Sequence, residues 1–219
     1  MTIQEIYNKW LPVKRKLVKE STCSTYVYQF TKRILPIYGD KEPEYVTNDE
    51  MQRFMLSLIE EGLSVKSAKD IFISFKMLLY YAMERFGVKY IKYRVQFPTV
   101  NMEATKDLEV YTEFEQKKII SYIVDYPKPK RLGILIGLCT GMRIGEICGL
   151  RWENIDIGNK CIHVTHTIER ILDIDTKKSK VIESTPKTIE SRRDIPIGRD
   201  LLGILKKFKA CYNDGFYVI

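Results

Sequence analysis

The segment over residues 140–156, TGMRIGEICGLRWENID, constrains the fold more than any other part of the chain. Gly141 can adopt a positive φ, so it can end an apolar helix over residues 132–138 while a short helix restarts at once. Arg143 is then expected at a rigid corner between two helices, near a helix N-terminus that already favours an anion. A guanidinium in that place can donate two hydrogen bonds to a phosphate.

The residues after Arg143 predict how this corner is held. Ile144, Ile147 and Leu150 recur at helical spacing, so we expect them to pack into a core. That packing would aim the side chains of Arg143 and Glu146. The general alternative is an ordinary exposed or salt-bridged arginine, because most charged side chains are simply solvated.

The same segment resembles the first conserved box of the tyrosine recombinases, the phage-integrase family. It matches the pattern Thr-Gly-x-Arg-x-x-Glu-x-x-x-Leu-x-Trp of that box. The resemblance implies that Arg143 is a catalytic residue that binds the scissile phosphate of DNA, and that Glu146 supports the corner. It also implies a mainly α fold with a small antiparallel β-sheet, in which an N-terminal helical core-binding domain precedes part of a mixed α/β catalytic domain.

Amphipathic patterns predict four helices in the first part of the chain. The two clearest begin at the capping residues Thr47 and Ser64 and end at Gly62 and Gly87. Pro36 predicts an end or a kink of the helix that precedes it. Four helices with short connections predict a small bundle, and their order is similar to the core-binding, SAM-like domain of the recombinases.

Basic side chains on the predicted bundle are candidates for contacts with the DNA backbone. Such contacts give affinity without reading the base sequence, although any one of these residues could instead be simply solvated. The predicted DNA-binding residues of this part are Lys14, Arg15, Lys16, Lys19, Lys32, Arg33, Lys66, Lys69 and Lys76.

Composition favours two small domains and a polyanionic partner. The 219 residues contain 36 Lys and Arg against 28 Asp and Glu, which gives a formal net charge of +8. An excess of this size favours a polyanionic partner but does not identify which one. Residues 88–107 lack a helical period and contain a proline, so we expect a linker between a helical domain over residues 1–87 and a second domain over residues 108–219.

Cysteine usage and the N-terminal sequence predict the compartment. The five cysteines form no C-x-x-C pair, which is typical of reduced thiols in the cytosol. The first twenty residues do not resemble a signal peptide, and no apolar run is long enough to cross a bilayer. We therefore expect a cytoplasmic protein without a membrane partner or a cofactor, and the resemblance implies association with a bacterial nucleoid.

Beyond residue 156 the apolar pattern alternates, which predicts strands instead of helices. Two short strands are expected over residues 180–184 and 192–197, around the turn-like TPKTIES. Another strand is expected to present on a single face Ile162, Val164, His166 and Ile168.

Lys187 lies at the tip of the hairpin predicted between the two short strands. In the tyrosine recombinases a lysine of this β-hairpin acts as the general acid, so the resemblance assigns that role to Lys187 and places it with Arg143 at one phosphodiester. A lysine can give a proton to the leaving 5′ oxygen, whereas an arginine cannot. A solvated hairpin lysine is the alternative. Arg192 and Arg193 are predicted to contact the DNA backbone.

The second arginine and the nucleophilic tyrosine of the family are missing from this sequence. His163 and His166 both lack an arginine three residues later, so neither begins the His-x-x-Arg box of the family. Tyr217 comes before any such box and is interpreted as a packing tyrosine. Because the two histidines would point to opposite faces of a strand, we expect no metal. The resemblance therefore predicts either a truncated open reading frame or a fragment of a longer protein, which as it stands is not expected to cleave DNA.

Three functions remain open from the sequence. The first is site-specific recombination and integration by a tyrosine recombinase of a mobile element, with duplex DNA, a homotetramer on DNA or other recombinase subunits as partners. The second is a non-catalytic DNA-binding protein on the same scaffold. The third is a helical protein-interaction module whose basic charge is incidental.

Overall fold

The computed structural model describes residues 1–99, 109–184, 192–211 and 217–218. Contacts divide the chain into two compact units. One comprises Met1–Asp107 with Ile171–Ser179, and the other comprises Leu108–Arg170 with Lys180–Ile219. The predicted fold class is confirmed, because the described elements are mainly helices with small antiparallel sheets. The predicted domain limits stay predictions.

The first unit is a bundle of helices, three of which begin at a capping side chain. Its helices are α1 (Ile3–Leu17), α2 (Glu20–Gln29), α3 (Leu35–Tyr38), α4 (Asn48–Glu60) and α5 (Val65–Phe86). The hydroxyl of Thr2 accepts a hydrogen bond from a backbone N–H in the first turn of α1, and Thr47 and Ser64 cap α4 and α5 as predicted. Gly87 ends α5 in the left-handed conformation, with φ of 67°.

Aromatic side chains fill the core of this bundle. Trp10, Phe30, Tyr38, Phe54 and Phe75 are buried in one apolar cluster. The ring centroids of Tyr38 and Phe54 lie 5.0 Å apart and those of Trp10 and Phe30 lie 5.3 Å apart. Rings at this spacing bury large apolar areas and add a favourable contribution from their relative orientation.

A π-helical turn, Phe30–Ile34, joins α2 to α3 next to Pro36. The backbone N–H of Leu35 donates to the carbonyl of Phe30, five residues earlier. In a regular α-helix the ring of Pro36 would crowd the carbonyl four residues before it, and the proline has no N–H to donate. The wider turn accommodates the proline, so the helical path continues to Tyr38.

The predicted linker is described up to residue 99, and this part packs against the first unit without regular secondary structure. The hydroxyl of the buried Tyr93 donates to the carbonyl of Val46 at 2.7 Å. The backbone N–H of Gln96 donates to the side chain of Gln52 at 2.7 Å. These contacts hold the extended segment along α4.

Residues Ile171–Ser179 complete the first unit. The side chain of Ile174 packs in a small apolar cluster with Cys23 of α2. The hydroxyl of Ser24 accepts a hydrogen bond from the backbone N–H of Leu172 at 2.8 Å.

The second unit combines helices with short strands. The helices are α6 (Glu113–Asp125), α7 (Pro129–Thr140), α8 (Ile144–Cys148) and α9 (Arg199–Cys211). The strands found among the described residues are β1 (Ile155–Asp156), β2 (Cys161–Val164), β3 (Thr167–Leu172), β4 (Ser179–Ser184) and β5 (Arg193–Pro196). Strand β2 lies antiparallel between β1 and β5, and β3 pairs with β4 in a separate sheet.

The strands differ from the prediction in two respects. The hairpin predicted between the strands over residues 180–184 and 192–197 is not formed by β4 and β5 among the described residues, because β4 pairs with β3 and β5 pairs with β2. Apolar alternation predicts a strand without specifying its partner. A single strand was expected to run through Ile168, but β2 ends at Val164 and β3 begins at Thr167, so His166 lies in the break. The residues on both sides of the break keep a period of two, and for this reason the alternation in the sequence did not reveal it.

In the sequence, the spacing of Thr112 and Glu115 predicts a capping box for α6, and the apolar residues Phe114, Ile119, Ile120, Ile123 and Val124 predict its core face. The capping box is present, because the side chain of Thr112 accepts from the N–H of Glu115 and the carboxylate of Glu115 accepts from the N–H of Thr112. The predicted core face is only partly correct. Ile123 is buried, but Phe114 and Val124 are exposed. The buried stripe is narrower than the apolar pattern of the sequence, since α6 packs on α7 mainly around Ile123.

Helix α5 is the longest helix among the described residues, with 22 residues, and it carries several charged side chains. In the described part of the chain, no helix has both the length and the apolar character that crossing a membrane requires.

Candidate functional site

Arg143 lies at the corner between α7 and α8, as the sequence predicted. Gly141 follows α7 in the left-handed conformation, with φ of 65°, where another residue would be strained. Ile147 and Leu150 are buried, but Ile144 is 77% exposed, which corrects its predicted place in the core. Helix α8 has only five residues and begins at Ile144, so the helical period predicted from Ile144 to Leu150 is not carried by one continuous helix.

The carboxylate of Glu146 is held between two arginines although its side chain is only 4% exposed. Its Oε1 atom accepts hydrogen bonds from Nη1 of Arg143 and from Nη1 of Arg193, both at 3.0 Å. Its Oε2 atom accepts from the backbone N–H of Arg143 at 2.9 Å and from Nη2 of Arg193 at 2.8 Å. The buried charge is therefore compensated at both oxygens.

This pairing sets the protonation state of Glu146. Burial by itself raises the pKa of the carboxyl, but the hydrogen bonds from Arg193 and Arg143 and the charge of Arg193 outweigh it and lower the pKa from 4.5 to about 2. Glu146 is therefore ionised at neutral pH. The hydrogen bonds and charge of the carboxylate in turn raise the pKa of Arg193 above its ordinary value.

Arg143 keeps most of its side chain accessible. Its Nη1 atom is fixed on Glu146, while the side chain as a whole is 71% exposed. A guanidinium has five N–H donors, so the donors beyond this contact can reach a ligand. The buried carboxylate thus orients a fixed positive charge that faces solvent.

Arg193 pairs with Glu146 within the protein, and its predicted contact with the DNA backbone stays a prediction. Its two terminal nitrogens form a bidentate pair with Glu146, from which it is separated by 47 residues in sequence. The side chain is 32% exposed. Sequence reasoning missed this contact because it joins β5 to α8, and no local spacing reveals it. Arg192, the neighbouring candidate, is exposed.

Two glycines let α8 approach β3 closely. A Cβ atom added to Gly145 would lie 2.5 Å from Oγ1 of Thr167 and 2.8 Å from the carbonyl oxygen of Ile168. A Cβ atom on Gly149 would lie 3.2 Å from Cα of Thr167. The sequence signal for this close approach was the spacing of four residues between the two glycines, which places both on one side of a helix.

The second predicted catalytic residue, Lys187, lies outside the described residues. Its predicted convergence with Arg143 on one phosphodiester stays a prediction. Tyr217, which was interpreted as a packing tyrosine, pairs with Arg151 in an isolated β-bridge, and its hydroxyl donates to Glu183 at 3.3 Å.

The basic candidates of the first unit differ in their partners. Arg15 forms a bidentate ion pair with Asp175, both bonds being 3.0 Å, and Arg33 pairs with Glu61 at 2.8 Å. These two residues are partly neutralised within the protein, which the sequence did not indicate. Ammonium groups lie over aromatic rings at Lys14, Lys69 and Lys76. The remaining candidates are exposed, namely Lys16, Lys19, Lys32 and Lys66.

Comparison with known proteins identifies the family. The phage integrase family matches residues 109–208, and the phage integrase N-terminal SAM-like domain matches residues 2–59. The two matches occur in the order expected from the sequence and together cover most of the chain.

The chain belongs to the phage integrase family of tyrosine recombinases.

Several curated relatives of this integrase-family chain come from bacteria and their mobile elements. It is 29% identical to a XerC-like tyrosine recombinase of Caldanaerobacter subterraneus subsp. tengcongensis, over 95% of this chain and 55% of that protein. It is 26% identical to the ICEBs1 integrase of Bacillus subtilis, over 86% of this chain and 49% of that protein. The chain thus spans about half the length of these relatives.

Solved structures support the fold of this integrase-family chain. The Tn1549 transposon integrase in complex with transposon right end DNA superposes with a TM-score of 0.76 at 24% identity, over 98% of this chain and 66% of that chain. A lambda integrase tetramer bound to a Holliday junction gives a TM-score of 0.62 at 21% identity, over 100% of this chain and 59% of that chain. At these identities the likeness establishes the fold.

Proposed function

We propose that this chain acts in site-specific DNA recombination by binding duplex DNA, with Arg143 and Lys187 at the scissile phosphate. The observation that carries the proposal is the mounting of Arg143, a solvent-facing guanidinium whose Nη1 atom is fixed on a buried carboxylate. The net charge of +8 and the similarity to integrases of mobile elements support DNA as the partner.

The proposed chemistry uses the two cations differently. Transfer of a phosphoryl group develops negative charge on the non-bridging oxygens, which a positioned arginine stabilises without losing its proton. Lys187 would donate a proton to the leaving 5′ oxygen, as the family resemblance implies. Holding Arg143 through Glu146 would orient its charge before the substrate arrives, so little reorganisation is needed during the reaction.

The proposal extends to assembly and location. One structural neighbour is described as a lambda integrase tetramer bound to a Holliday junction, which supports a tetramer of recombinase subunits on DNA as the working state. A protein that acts on chromosomal DNA of a bacterium would be found in the cytoplasm with the nucleoid.

Fluorescence anisotropy tests the proposed binding of duplex DNA. Binding to a labelled duplex of mixed sequence is measured over a range of salt concentrations. We expect log K to fall linearly with log salt, with a slope of about −0.9 per phosphate neutralised. Replacing Lys14, Lys16 and Lys19 with alanine should lower that slope by about 2 to 3 and weaken binding roughly tenfold or more. A salt-independent affinity would instead favour a protein-interaction module.

A charge-matched control separates a binding surface from net charge. Replacing three lysines of α9 with alanine removes the same charge from the other unit, and we expect a smaller loss of affinity than with the variant of Lys14, Lys16 and Lys19. Equal losses would contradict the proposed surface. We expect Arg143→Ala to change affinity for this duplex less than threefold, since it removes about one phosphate contact. The α9 lysines are Lys206, Lys207 and Lys209.

A nicked suicide substrate tests whether the chain cleaves DNA at the scissile phosphate. The substrate is a duplex taken from the sequence that flanks the gene. Because the 219 residues contain no His-x-x-Arg box, we expect a retarded but non-covalent complex, as for the non-catalytic DNA-binding alternative. A covalent adduct that is lost in Arg143→Ala would show that the chain itself cleaves DNA. The absence of any complex, with this substrate and with mixed duplex alike, would contradict DNA binding.

A further inference from the structure

Side chains of the types that bind metals lie together on one face of the sheet formed by β1, β2 and β5. The strand register places Asp156 opposite Cys161 and Asp194 opposite His163. Cys161 and His163 are two residues apart on β2, so both side chains point to the same face. The residue between them, Ile162, is buried on the other face. The register alone therefore brings together four side chains that commonly bind metals.

The distances within this group fit a single small cation. One donor atom from each of Asp156, Cys161 and His163 lies within 4.8 Å of the other two. Sγ of Cys161 and Nε2 of His163 are 3.5 Å apart. In a tetrahedral zinc site, with Zn–S about 2.3 Å and Zn–N about 2.0 to 2.1 Å, these two ligand atoms are about 3.5 Å apart. The observed separation, which is also that of a sulfur–nitrogen hydrogen bond, is compatible with a shared zinc ion.

Asp194 lies behind His163 as its outer partner, and a carboxylate in this place is common in metal sites. Its Nδ1 atom lies 2.6 Å from Oδ1 of Asp194, which favours a proton on Nδ1 and leaves the Nε2 lone pair directed toward Cys161. A histidine ligand usually donates its second ring N–H to a carboxylate in this way, which fixes the tautomer and the ring orientation.

We propose that Asp156, Cys161 and His163 bind a zinc ion, with Asp194 orienting the histidine and water in the fourth position. The sequence offered only His163 with His166 as a pair, whereas the sheet register supplies partners from neighbouring strands. The site would join β1 to β2 and, through Asp194, to β5. It would therefore brace β5, in which Arg193, the residue before Asp194, is paired with Glu146.

The existing hydrogen bonds of the group are compatible with a metal. The carboxylate of Asp156 accepts from the backbone N–H and from the side chain of Asn159, both at 2.8 Å. A carboxylate has about four lone-pair sites, so these bonds orient Asp156 and leave sites for a cation. The side chains of Asp156, Cys161 and His163 are each partly exposed, so an ion can reach them from solvent.

Titration of the chelator-treated full chain with Co²⁺, a spectroscopic substitute for Zn²⁺, tests the proposal. We expect one equivalent to produce a thiolate-to-cobalt charge-transfer band with tetrahedral ligand-field bands, and Zn²⁺ to displace it. Cys161→Ser and His163→Asn should abolish the charge-transfer band or weaken Co²⁺ binding at least 100-fold. The matched variants Cys211→Ser and His166→Asn should leave the band unchanged, since neither residue belongs to the group.

Asp194→Asn tests the outer partner, and we expect it to weaken Zn²⁺ binding 10- to 100-fold in calorimetry. Alkylation of the unmodified chain gives a test that no folding defect can obscure. Saturating Zn²⁺ should protect Cys161 from iodoacetamide at least tenfold while the exposed Cys211 stays reactive, as read by peptide mass spectrometry. The proposal is overturned if wild-type protein gives no charge-transfer band, if Cys161→Ser keeps the band, or if both cysteines react equally with and without zinc.

Discussion

Replacing Glu146 with glutamine should destabilise the second unit by about 3 kcal/mol at neutral pH, because a neutral amide cannot compensate both arginines. The lowered pKa of Glu146 gives the same magnitude. A shift from 4.5 to about 2 means that the folded protein stabilises the carboxylate relative to the protonated carboxyl by about 3 kcal/mol. Ionised Glu146 stabilises the folded state, so its contribution is complete above pH 4.5 and is lost as the pH falls toward 2.

Urea unfolding at several pH values measures this effect. The chain has two tryptophans, so in a Trp10→Phe background the fluorescence of the buried Trp152 reports the second unit. The difference in unfolding free energy between the parent and Glu146→Gln should shrink from about 3 kcal/mol at pH 7 to near zero at about pH 2. A constant difference across this range would contradict the assigned pairing.

A second glutamate provides the control for this measurement. Glu113 belongs to the same unit and pairs with Lys117 at 2.7 Å, but its side chain is 82% exposed. Exposed pairs along a helix contribute little, so Glu113→Gln should change the unfolding free energy by less than about 0.5 kcal/mol at any pH.

Gly145→Ala should destabilise the second unit by about 1 to 3 kcal/mol. The same replacement within a helix usually stabilises the protein, so the expected sign is the opposite of the usual one. The side chain of Thr167 can rotate away from the new methyl group, but the backbone carbonyl of Ile168, 2.8 Å away, cannot move without displacing β3. Helix α8 would have to move outward and carry Arg143 with it. We therefore also expect any function that depends on the position of Arg143 to be lost.

Gly203→Ala is the matched control, because Gly203 lies in α9 and no atom comes within 4 Å of its added Cβ. There the methyl group should stabilise the helix by about 0.5 to 1 kcal/mol. Thermal unfolding followed by circular dichroism should therefore give opposite changes in Tm for the two variants. An increase in Tm for Gly145→Ala would rule out the close approach of α8 to β3.

Local signals in the sequence predicted the helix limits and the corner well. Thr47, Ser64 and Thr112 are at helix starts where their side chains cap the backbone, and Gly141 is in the left-handed conformation that the corner requires. These features depend on a few adjacent residues, so their physical cause is contained in the local sequence. Arg143 could be identified from the sequence as a candidate site residue for the same reason, because adjacent residues form the corner between α7 and α8 that holds it.

The contacts that complete the site could not be predicted, because they join distant parts of the chain. The pairing of Glu146 with Arg193 depends on how α8 packs beside β5, and the pairing of Arg15 with Asp175 joins residues that are 160 positions apart. Ile144 illustrates the same limit, since the apolar period assigned it to the core and the packing of a five-residue helix turned it to solvent. Tertiary packing overrides the local pattern at these positions.

The π-helical turn before Pro36 has a consequence for how the first unit can vary among related proteins. Such a turn holds one residue more than a turn of α-helix, so loss of one residue between Phe30 and Ile34 could convert it to regular helix while both flanking segments keep their buried sides. A deletion elsewhere in α2 would rotate everything beyond it by about 100° and turn apolar side chains to water. Natural length differences in the continuous helical segment from α2 to α3 should therefore concentrate within these five residues.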